Sequence, residues 1–188
     1  MKKVQVINTQ KAVIAALFFG ATTFGYAQEI TQTTDTATTA TEQVQMSQQN
    51  PAIEALKKQI EANPNDTEAI VKLATAYQDV KDWPNALATW TKMSVLLPDW
   101  APSYYSQAYV YQNMKDENNA KIAYEKYIAA VKPAEIEASK KNLGYAHFYV
   151  AYKLQETDKE LAKQHIAKSL QFDAANEEAV KLGTLLNQ

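Results

Sequence analysis

The stretch IVKLATAYQDVKDWPNALATWTKMSVLLP, residues 70–98, decides how the rest of the chain is read. Ile70, Leu73, Ala74 and Tyr77 fall at spacings of three and four, which sets them in one stripe of an α-helix. Lys81 and Asp82 mark a turn, and Ala86 and Trp90 belong to a second helix with Pro98 behind it. Shifted by 34 residues, the pattern returns as Tyr104, Gln107, Ala108, Tyr111, Ala120 and Tyr124, with Pro133 one place late. Small Ala74 and Ala86 let two antiparallel backbones approach, while Tyr77 and Trp90 fill the space between neighbouring pairs. A single pair cannot cover its own apolar face, so the pairs must stack.

These positions resemble the tetratricopeptide repeat, in which a bulky residue, Leu, a small residue and Tyr lie on one helix, and Ala, an aromatic and Pro on the next. The resemblance implies an all-α fold: a right-handed α-solenoid of antiparallel helix pairs, with about three repeats plus terminal half-repeats. The first full repeat covers residues 67–100 with Asp66 as its cap, and the second covers 101–132 with Lys115 and Asp116 at the turn. Upstream, Asn50 and Pro51 have the form of an N-cap and first helical residue. Ile53, Leu56 and Ile60 then make a stripe ending before Pro64, a half-repeat that closes the stack. Beyond Pro133 the pattern degrades. A long helix over about 134–155 carries Tyr145, Phe148, Tyr149 and Tyr152, with Tyr149 standing where the family has its small crossing residue. Thr157 and Glu160 form a capping box for the partner helix, which holds Ala162 and Ile166. Asn176 caps a final helix whose Leu182, Leu185 and Leu186 read as a C-terminal lid.

The chain divides into three segments. Residues 1–27 carry Lys2, Lys3 and Lys11, an uncharged run over 12–21, and small residues one and three places before a cut after Ala27. This is the form of a secretory signal peptide, since ten apolar residues fall well short of the ~20 that span a bilayer. The protein is therefore expected to be exported, to the periplasm or to the medium, without a membrane span once the leader is removed. Residues 28–50 hold seven Thr and six Gln with few large apolar side chains, and are expected to be a disordered linker because little can be buried to offset ordering. Within it, Asp35, Thr36 and Ala37 resemble an Asp-Thr-small acceptor of bacterial O-glycosylation, which makes Thr36 a candidate site. Residues 51–188 form the helical domain.

Composition narrows the function. With 19 basic and 21 acidic residues and no basic stripe, the chain is not built for nucleic acid. It has no Cys, which removes disulfides, thiolate catalysis and cysteine metal sites. His147 and His165, the only histidines, lie in no recognisable metal or nucleophile spacing; the functional reading is a two-His metal site with Glu137 or Glu160 nearby, and the expectation is two surface or groove imidazoles. Gly144 and Gly183 are isolated in helical patterns, so no phosphate loop exists. No enzyme activity, catalytic residue, metal site or cofactor is expected.

What the resemblance does imply is a concave groove that takes a peptide or helix. Its wall would be Val71, Thr75 and Gln78, then Tyr105, Tyr109 and Gln112, then Ala146, Val150 and Lys153. Family members that grip chaperone C-terminal carboxylates use Lys, Asn and Arg there, whereas this wall is mostly apolar, aromatic and amide, which suits a segment held by apolar contact. The expected function is a non-catalytic protein-protein interaction adaptor of the cell envelope. The alternative is an envelope protein that self-associates through its end helices or convex face into a homo-oligomer.

Overall fold

The computed structural model describes residues 50–188. The signal peptide, the cut after Ala27, all of the linker before Asn50 and Thr36 lie outside the described residues. Eight α-helices account for most of what is described: α1 Pro51–Ala62, α2 Thr67–Asp79, α3 Trp83–Leu96, α4 Pro102–Asn113, α5 Glu117–Ala130, α6 Ile136–Leu154, α7 Lys159–Phe172 and α8 Glu177–Leu186. A short 3-10 turn, Pro133–Glu135, precedes α6. Two compact units result, one ending at Asp82 and the other running over Trp83–Gln188. The division falls between the two helices of the first expected repeat.

In the first unit α1 packs on α2. Asn50 Oδ1 accepts from the amides of Ala52 and Ile53 with Pro51 at the first helical position, and Asp66 Oδ1 accepts from Ala69. Each cap thus satisfies amides that a helix start leaves without a partner. The helix ends are equally determined. At the close of α2, Lys81 takes φ 58°, its amide donates to Gln78 O, and the amide of Asp82 donates to Tyr77 O. Thirty-four residues later, at the close of α4, Lys115 takes φ 62°, its amide donates to Gln112 O, and that of Asp116 to Tyr111 O. This paired bonding over a left-handed residue is the Schellman arrangement. The repeat is therefore present in backbone conformation as well as in side-chain pattern.

In the second unit each helix packs on the next, α6 against α7 most extensively. Ala108 and Ala120, fully buried, belong to one cluster with Ala123, Tyr124, Tyr127, Leu143, Ala146, Tyr149 and Val150, contributed by α4, α5 and α6. A second cluster joins Ala151 of α6 to Ala162 and Ile166 of α7 and to Ala179, Leu182 and Leu186 of α8.

Three expectations for the C-terminal part are corrected. The cap of α7 is Asp158, whose Oδ1 accepts from Leu161, while the Thr157 hydroxyl turns back to Leu154 O, so there is no Thr157–Glu160 box. Tyr149 is not at the crossing of α6 and α7. It faces α5, its ring tilted against that of Tyr124 at 5.0 Å, and the small residues turned toward α7 and α8 are Gly144 and Ala151. In the last helix Leu182 and Leu186 are buried but Leu185 is 56% exposed, because a helical stripe cannot include both of two consecutive residues equally.

Candidate functional site

The second unit is organised around rings. Tyr124, almost wholly buried on α5, is met edge-on by Tyr105 of α4 at 5.4 Å and by Tyr145 of α6 at 5.7 Å. Tyr105 also meets Tyr127 edge-on at 5.1 Å. Such geometry sets the positive ring edge against the negative ring face, adding to the area buried. Burial pushes the phenols of Tyr127 and Tyr149 up to about 12, since a charged phenolate would have to leave water.

A polar clamp runs through these rings. The Tyr124 hydroxyl donates to Gln112 Oε1, and Gln112 Nε2 donates to the Tyr145 hydroxyl at 3.0 Å, so one amide of α4 ties α5 to α6. From Tyr145 a run of aromatics follows α6 outward at spacings of three and four. Phe148 lies 6.1 Å from Tyr145, and Tyr152 stacks 6.4 Å beyond Phe148. Tyr145 and Phe148 are half-buried and Tyr152 is 46% exposed, so the run rises from the core to solvent. On α4, half-buried Tyr109 stands edge-on to Trp83 at 6.2 Å.

The residues expected to form the groove wall separate into groups. Val71 and Val150 are buried, at 3% and 0% exposure, as is Ala146, so none of the three is an accessible wall. For Ala146 and Val150 the cause is rotation of α6: its Leu143, Ala146, Tyr149 and Val150 face α5. Tyr105 is half-buried by Tyr124 and Tyr127, and Gln112 is engaged at both ends of its amide. Lys153 is paired with Glu117 at the start of α5 and lies 5.6 Å from the Tyr152 ring. Thr75 is exposed and donates to Val71 O, and Gln78 and Tyr109 are half-buried. The ring of α6 that reaches solvent is Tyr152, with half-buried Phe148 beneath it, and neither was among the residues expected to form the groove. Their spacing from Tyr145 was visible, but the rotation of a 19-residue helix was not.

The two histidines meet across α6 and α7. His147 Nδ1 of α6 lies 3.0 Å from His165 Nδ1 of α7, and Phe172 stacks on the His147 ring at 5.8 Å. Burial holds both rings below the usual imidazole range, His147 at about 4 with the neighbouring His165 and Lys168 adding to the effect. The carboxylate that acts on His165 is Glu125 of α5. Among the described residues no group of three or more His, Cys, Asp or Glu could hold a metal ion. An open cleft of about 640 Å³, lined by Pro98, Asp99, Tyr104, Lys126 and Pro133 among others, gathers no pair of groups arranged for acid-base work.

Residues 101–130, which are α4, α5 and the turn between them, match the tetratricopeptide-repeat family model. Over these residues the chain is similar to a tetratricopeptide repeat. No curated protein sequence matches it. Among solved structures, the crystal structure of the MamA protein is 20% identical with a TM-score of 0.59, over 79% of this chain and 80% of that one. MamA residues 41 to the end from Desulfovibrio magneticus RS-1 are 17% identical with a TM-score of 0.57, over 79% and 84%. The C-terminal part of a TPR repeat-containing protein from Cytophaga hutchinsonii is 24% identical with a TM-score of 0.62; the match takes in 77% of this chain and 58% of that structure. The fold is thus the all-α, tetratricopeptide-repeat type that the 34-residue period implied. It is a fold of protein-interaction modules and scaffolds. No helix of the described residues is long and apolar enough to cross a membrane.

Proposed function

We propose that the chain is a non-catalytic adaptor of the cell envelope, holding a segment of a partner protein on the face that α4 and α6 share. The observation that carries this reading is the aromatic run Tyr145, Phe148, Tyr152, anchored at one end by Gln112 and open to solvent at the other. Rings fixed in advance offer apolar area at low entropic cost, which is why aromatics dominate interfaces. Tyr109 extends the same chemistry on α4. Lys153 is already neutralised by Glu117, so the face favours an internal apolar segment over a terminal carboxylate. Export to the periplasm rests on the Lys-rich, apolar, small-residue leader ending at Ala27, and the Thr- and Gln-rich residues after it would act as a tether to residues 51–188, with Thr36 open to glycosylation.

A second reading has an observation of its own: Val180 and Leu185 on the terminal helix are 47% and 56% exposed, an apolar end on which a second copy could stack. Light scattering of the mature protein over a concentration series separates the two. An adaptor keeps a constant monomer mass, whereas mass that rises with concentration and falls back on Leu185→Lys replaces the adaptor reading by self-assembly.

A further inference from the structure

We propose that His147 and His165 form an acid-sensitive latch between α6 and α7: protonation of both rings breaks their shared hydrogen bond and frees α7 and α8 from α6. With Nδ1 facing Nδ1 at 3.0 Å, one ring must donate and the other accept, so the contact holds one proton between two nitrogens. A second proton turns the acceptor into a donor. Two N–H groups then oppose each other, and two positive charges stand side by side in a largely buried site.

The surroundings relieve that charge only at His165, where Glu125 of α5 favours the protonated ring, and not at His147. Lys168 of α7 acts on His147, and Lys121 of α5 acts on His165. Glu125 of α5 faces His165 but is paired with Lys121 at 2.8 Å. Asp173 packs on Gly144, one turn before His147, and its Oδ1 accepts from the amide of Ala175. From α8, Ala179, Leu182 and Leu186 pack with Ala151 of α6 and with Ala162 and Ile166 of α7, and all are apolar. Phe172 lies flat against His147 and cannot accept a charge by hydrogen bonding.

The contact of α7 with α6 is the most extensive in the second unit, and the side chains at its centre are mostly small. Ala151, Ala162 and Ala179 are small, and beside them stand Ile166, Leu182, Leu186 and the bond from Ser169 Oγ to Gly144 O. A repulsion placed at the centre of this contact acts on the last helix pair, whereas Tyr124 and its ring partners lie on the other side of α6. Acidification would then bare the Phe148, Ala151 and Leu154 side of α6.

The test uses the full mature chain between about pH 7 and pH 4; carboxylates begin to titrate at the lower end, and the His147 variant separates their effect from that of the rings. The two histidines are followed by NMR, and helix content by circular dichroism. Trp fluorescence reports the region before α4, because Trp83, Trp90 and Trp100 all lie there. The expected result is that at least one ring binds its proton tenfold or more weakly than a free imidazole, and that helix signal falls in acid while Trp fluorescence holds. His147→Phe, which keeps the stack on Phe172, should remove the acid step. Two rings titrating like free histidine would overturn the latch whether or not the variant folds. So would an acid transition of unchanged midpoint and size in His147→Phe.

Discussion

Gln112 of α4 and Tyr145 of α6 are joined side chain to side chain at 3.0 Å, and the same amide accepts the hydroxyl of Tyr124. An amide expected to await a partner is already spent on holding three helices together. Gln112→Leu keeps the volume but removes the bond that Gln112 makes with the hydroxyl of almost fully buried Tyr124. Loss of one such hydrogen bond costs about 0.5–1.5 kcal/mol. The urea midpoint of this variant should drop accordingly, and an unchanged midpoint would return Gln112 to the open wall.

Lys81 and Lys115 sit in the left-handed region at φ 58° and 62°, where a side chain is strained and Gly is not. Each change to Gly should raise stability by about 0.5–1 kcal/mol, the relief of strain outweighing the extra freedom of Gly in the unfolded chain. Thermal melts of the two single variants check this. A lower melting temperature in both would mean that the Lys side chains contribute more than their backbones cost.

Gly144 gives the opposite sign to its helix propensity. In an exposed helix Gly→Ala gains about 1 kcal/mol. Here a Cβ would meet Asp173 Cβ at 2.9 Å and Ser169 O at 3.4 Å, so α6 and the end of α7 must separate. Gly144→Ala should therefore destabilise by about 1–3 kcal/mol, as overpacked cores do. Chemical denaturation decides it, and a gain in stability would show that the crossing is loose.

How far the sequence was legible depends on whether the repeat or the fold carried the information. The Lys81 and Lys115 turns, the Asn50 cap and buried Ala108 and Ala120 follow from spacing alone, because each reflects a local backbone demand repeated at one offset. The face of α6 was misread because Tyr149 was set at the crossing by analogy, whereas a long helix is rotated by the sum of its contacts with α5 and α7. The direct contact of the two imidazoles went unread although a signal existed. In an antiparallel hairpin, residues equally far from the turn meet: Gly144 with Ser169 and His147 with His165, both centred near residue 156. Applied to α6 and α7, that symmetry would have paired the two imidazoles.

The buried phenols predict behaviour in alkali. For Tyr127 and Tyr149 the folded chain keeps its proton up to about 12, whereas the unfolded chain gives it up near 10. Between these values the folded state binds more protons, so stability is fully present below about pH 10 and declines as pH rises toward 12. Tyrosinate absorbance should show these two phenols ionising only with unfolding. Ionisation of all tyrosines near pH 10 in the folded chain would place them at the surface.

The central claim, that a partner segment lies on the aromatic face of α6, is tested most directly by a photo-cross-linking residue placed at Tyr152 in the native cell, with Val95 on α3, 75% exposed, as the control position. The account predicts a covalent adduct with a different polypeptide at position 152, none at 95, and loss of the adduct when Phe148 is also changed to Ser. An adduct at 95 with none at 152, or one at 152 whose mass is that of two copies of this chain, would contradict it.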